Sequence, residues 1–192
     1  MTTTDRMSAR DALIALRAVR RDDDIVVTTM GAAREWMVLG SHPLDLVLVP
    51  SAMGHATSFG LGLAIAQPSR RVIVCNGDGS MLMNLGSLAT IAAASPPNLV
   101  VIVFDNGAYE VTGGQPLPAA VDFAAVAIAC GIRSVFRYSE LPAWRNNIAT
   151  ILGAPGPTFV ILDVASSPGT PGPRSPGPAA ERAKKFRESV IR

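Results

Sequence analysis

Apolar runs rich in β-branched residues alternate along this chain with segments whose apolar positions recur every three or four residues. Arg71-Val72-Ile73-Val74-Cys75-Asn76 and Leu99-Val100-Val101-Ile102-Val103-Phe104 are nearly unbroken, the pattern of strands buried on both faces. Together with runs at 25–28, 46–49, 132–136 and 158–163, they predict six strands. Ala9, Ala12, Leu13, Leu16 and Val19 place one apolar stripe on a helix within 5–20, and further helices are predicted at 31–39, 55–66, 80–94, 120–130 and 139–152. Strands and helices that alternate in this way predict an α/β fold, a single doubly wound domain around a six-stranded parallel sheet. Right-handed crossovers then bring the carboxyl ends of all strands to one edge, where the connecting loops can build a site.

The alternation stops near residue 165. Ser167-Pro168-Gly169-Thr170-Pro171-Gly172-Pro173, continuing to Pro178, can form neither helix nor sheet and reads as an extended strap before a short helix at roughly 179–190. The expected organisation is a domain at 1–165 and a strap with C-terminal helix at 166–192. Such an arm is expected either to lie across a neighbouring chain or to be a disordered tail. Composition narrows the setting. With 48% hydrophobic and 17% charged residues in 192, the chain has the make-up of a heavily buried globular protein. The net charge of +2 conceals a tail of +4 and a remainder of −2, and the tail interleaves no aromatic residue but Phe186, so nucleic acid is not an expected partner. Apolar runs are strand-sized or broken by Gly and Pro, and Asp5, Arg6 and Arg10 precede no apolar leader core. No membrane span is expected, and a cytoplasmic location is. Cys75 and Cys130 are too far apart for a Cys-x-x-Cys pair and read as free buried thiols.

Chemistry gathers where the two central strands end. Gly77-Asp78-Gly79-Ser80 follows one: its glycines permit a sharp turn and close ligand approach, and Ser80 is expected to cap the next helix, leaving N–H groups for an anion. Asp78 would repel a phosphate there unless a divalent cation lay between them. Asp105-Asn106-Gly107 ends the neighbouring strand, so Asp78 and Asn106 should meet at one edge. One carboxylate, one amide oxygen and a backbone carbonyl suit Mg²⁺ or Ca²⁺, with phosphate and water oxygens completing the shell. Gly60-Leu61-Gly62 lies inside a predicted helix, so the dinucleotide fingerprint fails.

Gly-Asp-Gly, a spacer and then Asn resembles the cofactor signature of thiamine-diphosphate enzymes, which implies a thiamine-diphosphate-binding fold. Ser51-Ala52-Met53-Gly54-His55-Ala56, Met83-Asn84-Leu85-Gly86-Ser87-Leu88-Ala89-Thr90-Ile91-Ala92, and Asp105-Asn106-Gly107-Ala108-Tyr109 followed by Thr112-Gly113-Gly114-Gln115 resemble the sulfopyruvate and phosphonopyruvate decarboxylase branch. The resemblance extends from roughly Ile25 to Val164. It implies that Asp78, Asn106 and the Ala108 carbonyl hold Mg²⁺, with Gly77, Gly79, Ser80 and Tyr109 around the diphosphate. Most of the wider family has asparagine where Asp105 stands, a departure that adds a negative charge near the metal. Thr28 and Thr29 resemble a segment that holds the far phosphate, although ordinary capping accounts for them nearly as well. Met53, ahead of Gly54, matches the apolar wedge that bends the cofactor, and the Ser51 carbonyl matches the group that holds its 4′-amino nitrogen. His55 is a candidate acid or anion binder, or a helix-start residue without chemistry. Gln115, in a polar glycine-rich loop, is a candidate partner for a substrate carboxylate, whereas Glu110 reads as well as a solvated charge.

The family chemistry also needs a glutamate that protonates the aminopyrimidine ring, and Glu35, Glu110 and Glu140 do not fit that role. The resemblance therefore implies the diphosphate-binding subunit of a two-subunit 2-oxo acid decarboxylase, releasing CO₂ and an aldehyde. Its partner would be a pyrimidine-binding α subunit in a hetero-oligomer with two-fold symmetry. Alternatives are a carboligase of the acetolactate type and a cofactor-binding subunit without turnover.

Overall fold

A computed structural model describes residues 6–49, 53–167 and 175–191; most of the predicted strap, at 168–174, lies outside the described residues. The chain begins with helix α1 (Ala9–Val19), strand β1 (Ile25–Thr29), α2 (Met30–Val38), β2 (Asp45–Leu48), α3 (Ala56–Ala66) and β3 (Val72–Gly77). It continues with α4 (Asp78–Leu82), α5 (Gly86–Ala94), β4 (Leu99–Asp105), a small hairpin of β5 (Ala108–Tyr109) and β6 (Gln115–Pro116), and α6 (Phe123–Ala129). It closes with β7 (Ser134–Tyr138), α7 (Leu141–Gly153), β8 (Thr158–Asp163) and α8 (Ala179–Ile191). The main sheet has the order β2-β1-β3-β4-β8-β7 with every pair parallel, as the apolar runs predict.

Strand side chains alternate between two cores. Val27, Val74, Val101, Val103 and Ile161 face α3, α5 and α6, while Val26, Ile73, Ile102 and Val160 face α1, α2 and α7. Trp36 on α2 and Trp144 on α7 are wholly buried in the second layer. Where such large side chains have left water, the hydrophobic gain is about 25 cal/mol per Å². Asp24, at the foot of β1, is also wholly buried; the Arg71 guanidinium holds it from Nε (3.0 Å) and Nη2, and the Arg21 N–H from 2.7 Å.

The order of strands fixes where a ligand can sit. From β1 the chain moves outward to β2, then returns across β1 to β3. The helices that leave β1 and β3 therefore lie on opposite faces, and a crevice opens between their starts at the carboxyl edge.

Two expectations are corrected. The single helix predicted at 80–94 is two helices, because the intervening turn is used as an anchor: Asn84 Nδ2 donates to the Gly54 carbonyl at 2.9 Å, and Ser87 Oγ donates to the Asn84 carbonyl at 2.7 Å. The expected Ser80 cap is not made, since the helix starts two residues earlier at Asp78. Helix α8 packs on this chain's own β2, with Phe186 in the core and Arg182 donating to the carbonyls of Val47 and Val49. Capping an edge strand in this way removes an open hydrogen-bonding rim.

Candidate functional site

Asp78 is 3% exposed and sits at the tip of β3, where Gly77 lies in register with Phe104 of β4. That pairing sets the β4–β5 turn directly beside it. Asp78 Oδ2 accepts the N–H groups of Asn106 (2.9 Å) and Gly107 (2.7 Å), and Oδ1 accepts that of Gly79 (2.7 Å). One carboxylate thus stitches the ends of the two central strands together. Burial pushes its pKa up to about 6, against the pull of those three N–H donors, and the negative charge of Asp105 adds to the rise. A carboxylate so placed has much to gain from a cation.

The other expected oxygens converge here. Asn106 Oδ1 accepts the Ala108 N–H at 2.9 Å, which curls the turn. Ala108 faces Pro116 across the hairpin, and the flanking 107–117 pair carries the Leu117 N–H to Gly107 O bond at 2.9 Å. Ala108 is therefore a non-hydrogen-bonded position, with its carbonyl directed away from β6, and Pro116 has no N–H to offer it. Carboxylate, amide and carbonyl oxygens make a hard donor set that fits Mg²⁺ or Ca²⁺. Among the described residues there is no group of three or more His, Cys, Asp or Glu side chains that could hold an ion. A cation here would take much of its shell from a bound diphosphate and water. The residues present fit both the metal and the diphosphate.

A cavity of about 200 Å³ opens beside this turn, lined by Met30 and Gly31 at the start of α2, by Gly77 to Ser80, and by Tyr109 to Thr112. Gly79 is obligatory: a Cβ there would stand 2.5 Å from Cδ1 of Tyr109, whose ring covers it. Met30 takes a φ of 56°, a left-handed setting that costs an L residue about 1–2 kcal/mol. It lines the cavity, and strain of this kind tends to be kept at functional sites. Gly54, at φ 83°, turns the loop that carries Met53 into the cavity wall. The loop is held at both polar groups of Gly54, its N–H by Ser80 Oγ (3.0 Å) and its carbonyl by Asn84. Ser80 acts as an anchor for the Met53 loop, not as a cap.

Eight of the expected residues line the cavity: Met53, Gly77, Asp78, Gly79, Ser80, Asn106, Ala108 and Tyr109. Thr28 and Thr29 are wholly buried and do not line it, and Thr28 Oγ1 has no hydrogen-bond partner. Ser51 lies outside the described residues. His55 is exposed at the start of α3 and outside the cavity. Gln115 is likewise outside, its amide turned back on its own loop with Nε2 donating to Thr112 O at 3.2 Å.

Sequence reasoning missed two contacts. Glu110 is not merely solvated, since its Oε1 accepts from Ser166 Oγ (3.2 Å) and from the Ser167 N–H, tying the hairpin to the chain after β8. Asp105 is paired with Arg137 of β7, 32 residues away, where no local pattern announces a contact.

The match to known proteins agrees with this geometry. Residues 24–162 match the family described as "Thiamine pyrophosphate enzyme, C-terminal TPP binding domain". The chain belongs to that family. A phosphonopyruvate decarboxylase of Streptomyces viridochromogenes is 43% identical over 188 residues, covering 96% of this chain and 46% of that protein. The sulfopyruvate decarboxylase subunit beta of Methanothermobacter thermautotrophicus is 40% identical over 145 residues, covering 74% of this chain and 75% of that subunit. The chain spans less than half the length of the phosphonopyruvate decarboxylases it matches. A solved structure from Mycobacterium smegmatis, described as that of "a putative thiamin diphosphate-dependent enzyme", shares the fold, with a TM-score of 0.71 at 22% identity over 84% of this chain and 32% of that one. Among the described residues no helix is long and apolar enough to cross a membrane.

Proposed function

We propose that this chain is the diphosphate-binding part of a thiamine-diphosphate- and Mg²⁺-dependent decarboxylase of small 2-oxo acids, of the sulfopyruvate or phosphonopyruvate kind. The observation that carries the reading is the closure of the two central strand ends around Asp78, with Asn106 and the Ala108 carbonyl beside it. Similarity at 40–43% identity to decarboxylases of that branch supports the substrate class. When bound, thiamine diphosphate supplies the carbon nucleophile and the electron sink for loss of CO₂.

This chain's residues would bind and orient. Asp78, Asn106 and Ala108 hold the cation; the backbone of Gly77 to Ser80 and the Tyr109 ring enclose the diphosphate. Met53, braced by Ser80 and Asn84 through Gly54, provides the apolar support under the cofactor. His55 and Gln115, exposed and outside the cavity, would meet a substrate only together with a partner surface. We further propose that a pyrimidine-binding α subunit completes the site in a two-fold hetero-oligomer, which the subunit-beta relatives support. A cytoplasmic setting accords with the free thiols of Cys75 and Cys130.

The test is reconstitution. The purified chain, a candidate α subunit and their mixture are each assayed for CO₂ release from sulfopyruvate and phosphonopyruvate with Mg²⁺ and thiamine diphosphate. Turnover in the mixture alone is expected. Full turnover by the isolated chain would refute the two-subunit reading. Accumulation of a carbon–carbon ligation product from pyruvate and an aldehyde, without free aldehyde release, would refute decarboxylation.

A further inference from the structure

Asp105 is a second carboxylate at the edge of the cation site. It immediately precedes Asn106, whose N–H donates to Asp78 Oδ2 at 2.9 Å, and the residue is 9% exposed. Left free, it would be a ready additional ligand for any cation held by Asp78 and would repel a diphosphate. It is not left free. Arg137 on β7 donates from Nη2 to Asp105 Oδ2 at 3.2 Å, and grips Asp163 on β8 with two bonds, Nη2 to Oδ1 at 2.6 Å and Nε to Oδ2 at 3.0 Å. Asp105 and Asp163 are direct register partners in the β4–β8 pair. Three adjacent strands thus contribute one residue each to a single ion cluster. Asp78 and Asn106 line the cavity, and Asp105 does not.

Resting on the function proposed above, we infer that Arg137 is a positioning residue that holds Asp105 out of the cation's ligand set. The bidentate hold on Asp163 gives the guanidinium a fixed plane. Its remaining N–H then draws the Asp105 carboxylate toward β8 and balances its charge. The cation keeps Asp78 as its one carboxylate ligand, and positions stay open for phosphate oxygens. In this chain the arginine is the counterpart of a charge that an asparagine at 105 would not carry.

The two probes are Mn²⁺ alone, followed by its electron-spin resonance, and Mg²⁺ with inorganic pyrophosphate, followed by calorimetry. Both are applied to the full chain as wild type, R137Q, D105N and D105N/R137Q, with melting temperatures recorded for each. In R137Q, Mn²⁺ should bind more tightly while pyrophosphate binds about tenfold more weakly, the size expected of one unbalanced charge near the site. In D105N/R137Q both affinities should return to within about twofold of D105N, because no carboxylate remains to be restrained. A merely structural arginine would weaken both probes together, and D105N would not restore them; that result overturns the inference, as does an R137Q indistinguishable from wild type. If wild-type chain binds neither probe, and D78A changes nothing, the cation site itself is refuted and the inference falls with it.

Discussion

Asp78 places opposite demands on folding and on binding, and pH separates them. Its pKa in the folded, metal-free chain is about 6, against an ordinary 3.8, with burial as the main cause. The native state therefore holds this proton more tightly than the unfolded state does, and between those two values stability declines as pH rises, then levels off above about 6. Two pKa units correspond to about 3 kcal/mol of stability lost between pH 4 and pH 7, an order-of-magnitude figure. The assay is urea unfolding of wild type and Asp78→Ala at several pH values in chelator. The difference between the two proteins isolates this carboxylate from all others. Wild type should be favoured most near pH 4, where its three backbone N–H partners are satisfied without a buried charge, and should lose about 3 kcal/mol of that advantage by pH 7. Divalent cation competes with the same proton, so apparent Mg²⁺ affinity should fall about tenfold per unit below pH 6. A pH-independent difference, or a wild type that gains on the variant as pH rises, would refute the reasoning.

Three further outcomes are expected. Gly79→Ala forces a Cβ to within 2.5 Å of the Tyr109 ring, so it should cost about 1–3 kcal/mol in unfolding assays and weaken pyrophosphate binding as the ring moves. Asp24→Ala leaves the Arg71 guanidinium buried without its partner and should cost about 3–5 kcal/mol by urea unfolding, with the site residues untouched. Arg182→Ala frees the carbonyls of Val47 on edge strand β2 and of Val49 just beyond it; light scattering should detect more self-association, and α8 amides should lose hydrogen-exchange protection.

The main sheet and the strand-end site were legible because they rest on short-range patterns. Val72 to Cys75 and Val100 to Val103 are apolar at successive positions, which only a strand buried on both faces requires, and each is followed at once by its chemistry at Asp78 or Asn106. The break at 83–85 was hidden because Leu82, Leu85 and Leu88 keep a helical spacing through it; what ends the helix is the Asn84 bond to Gly54, 30 residues away. Ser80 read as a cap for a similar reason, since serine beside a glycine is a local signal and the Gly54 N–H that uses its oxygen is not. The Arg137 contacts to Asp105 and Asp163 depend on β7, β8 and β4 lying side by side, a result of strand order that no single segment encodes. The docking of α8 on β2 likewise depends on which strand is left at the edge.

The most direct test of the cation-bridged cofactor site is calorimetric titration of thiamine diphosphate into the chain assembled with its α subunit, with and without Mg²⁺, for wild type and Asp78→Ala. Binding that requires Mg²⁺ and weakens at least about a hundredfold in the variant is the expected result, as for the loss of a principal metal ligand. Equal affinity with and without the metal, or in both proteins, would contradict the account.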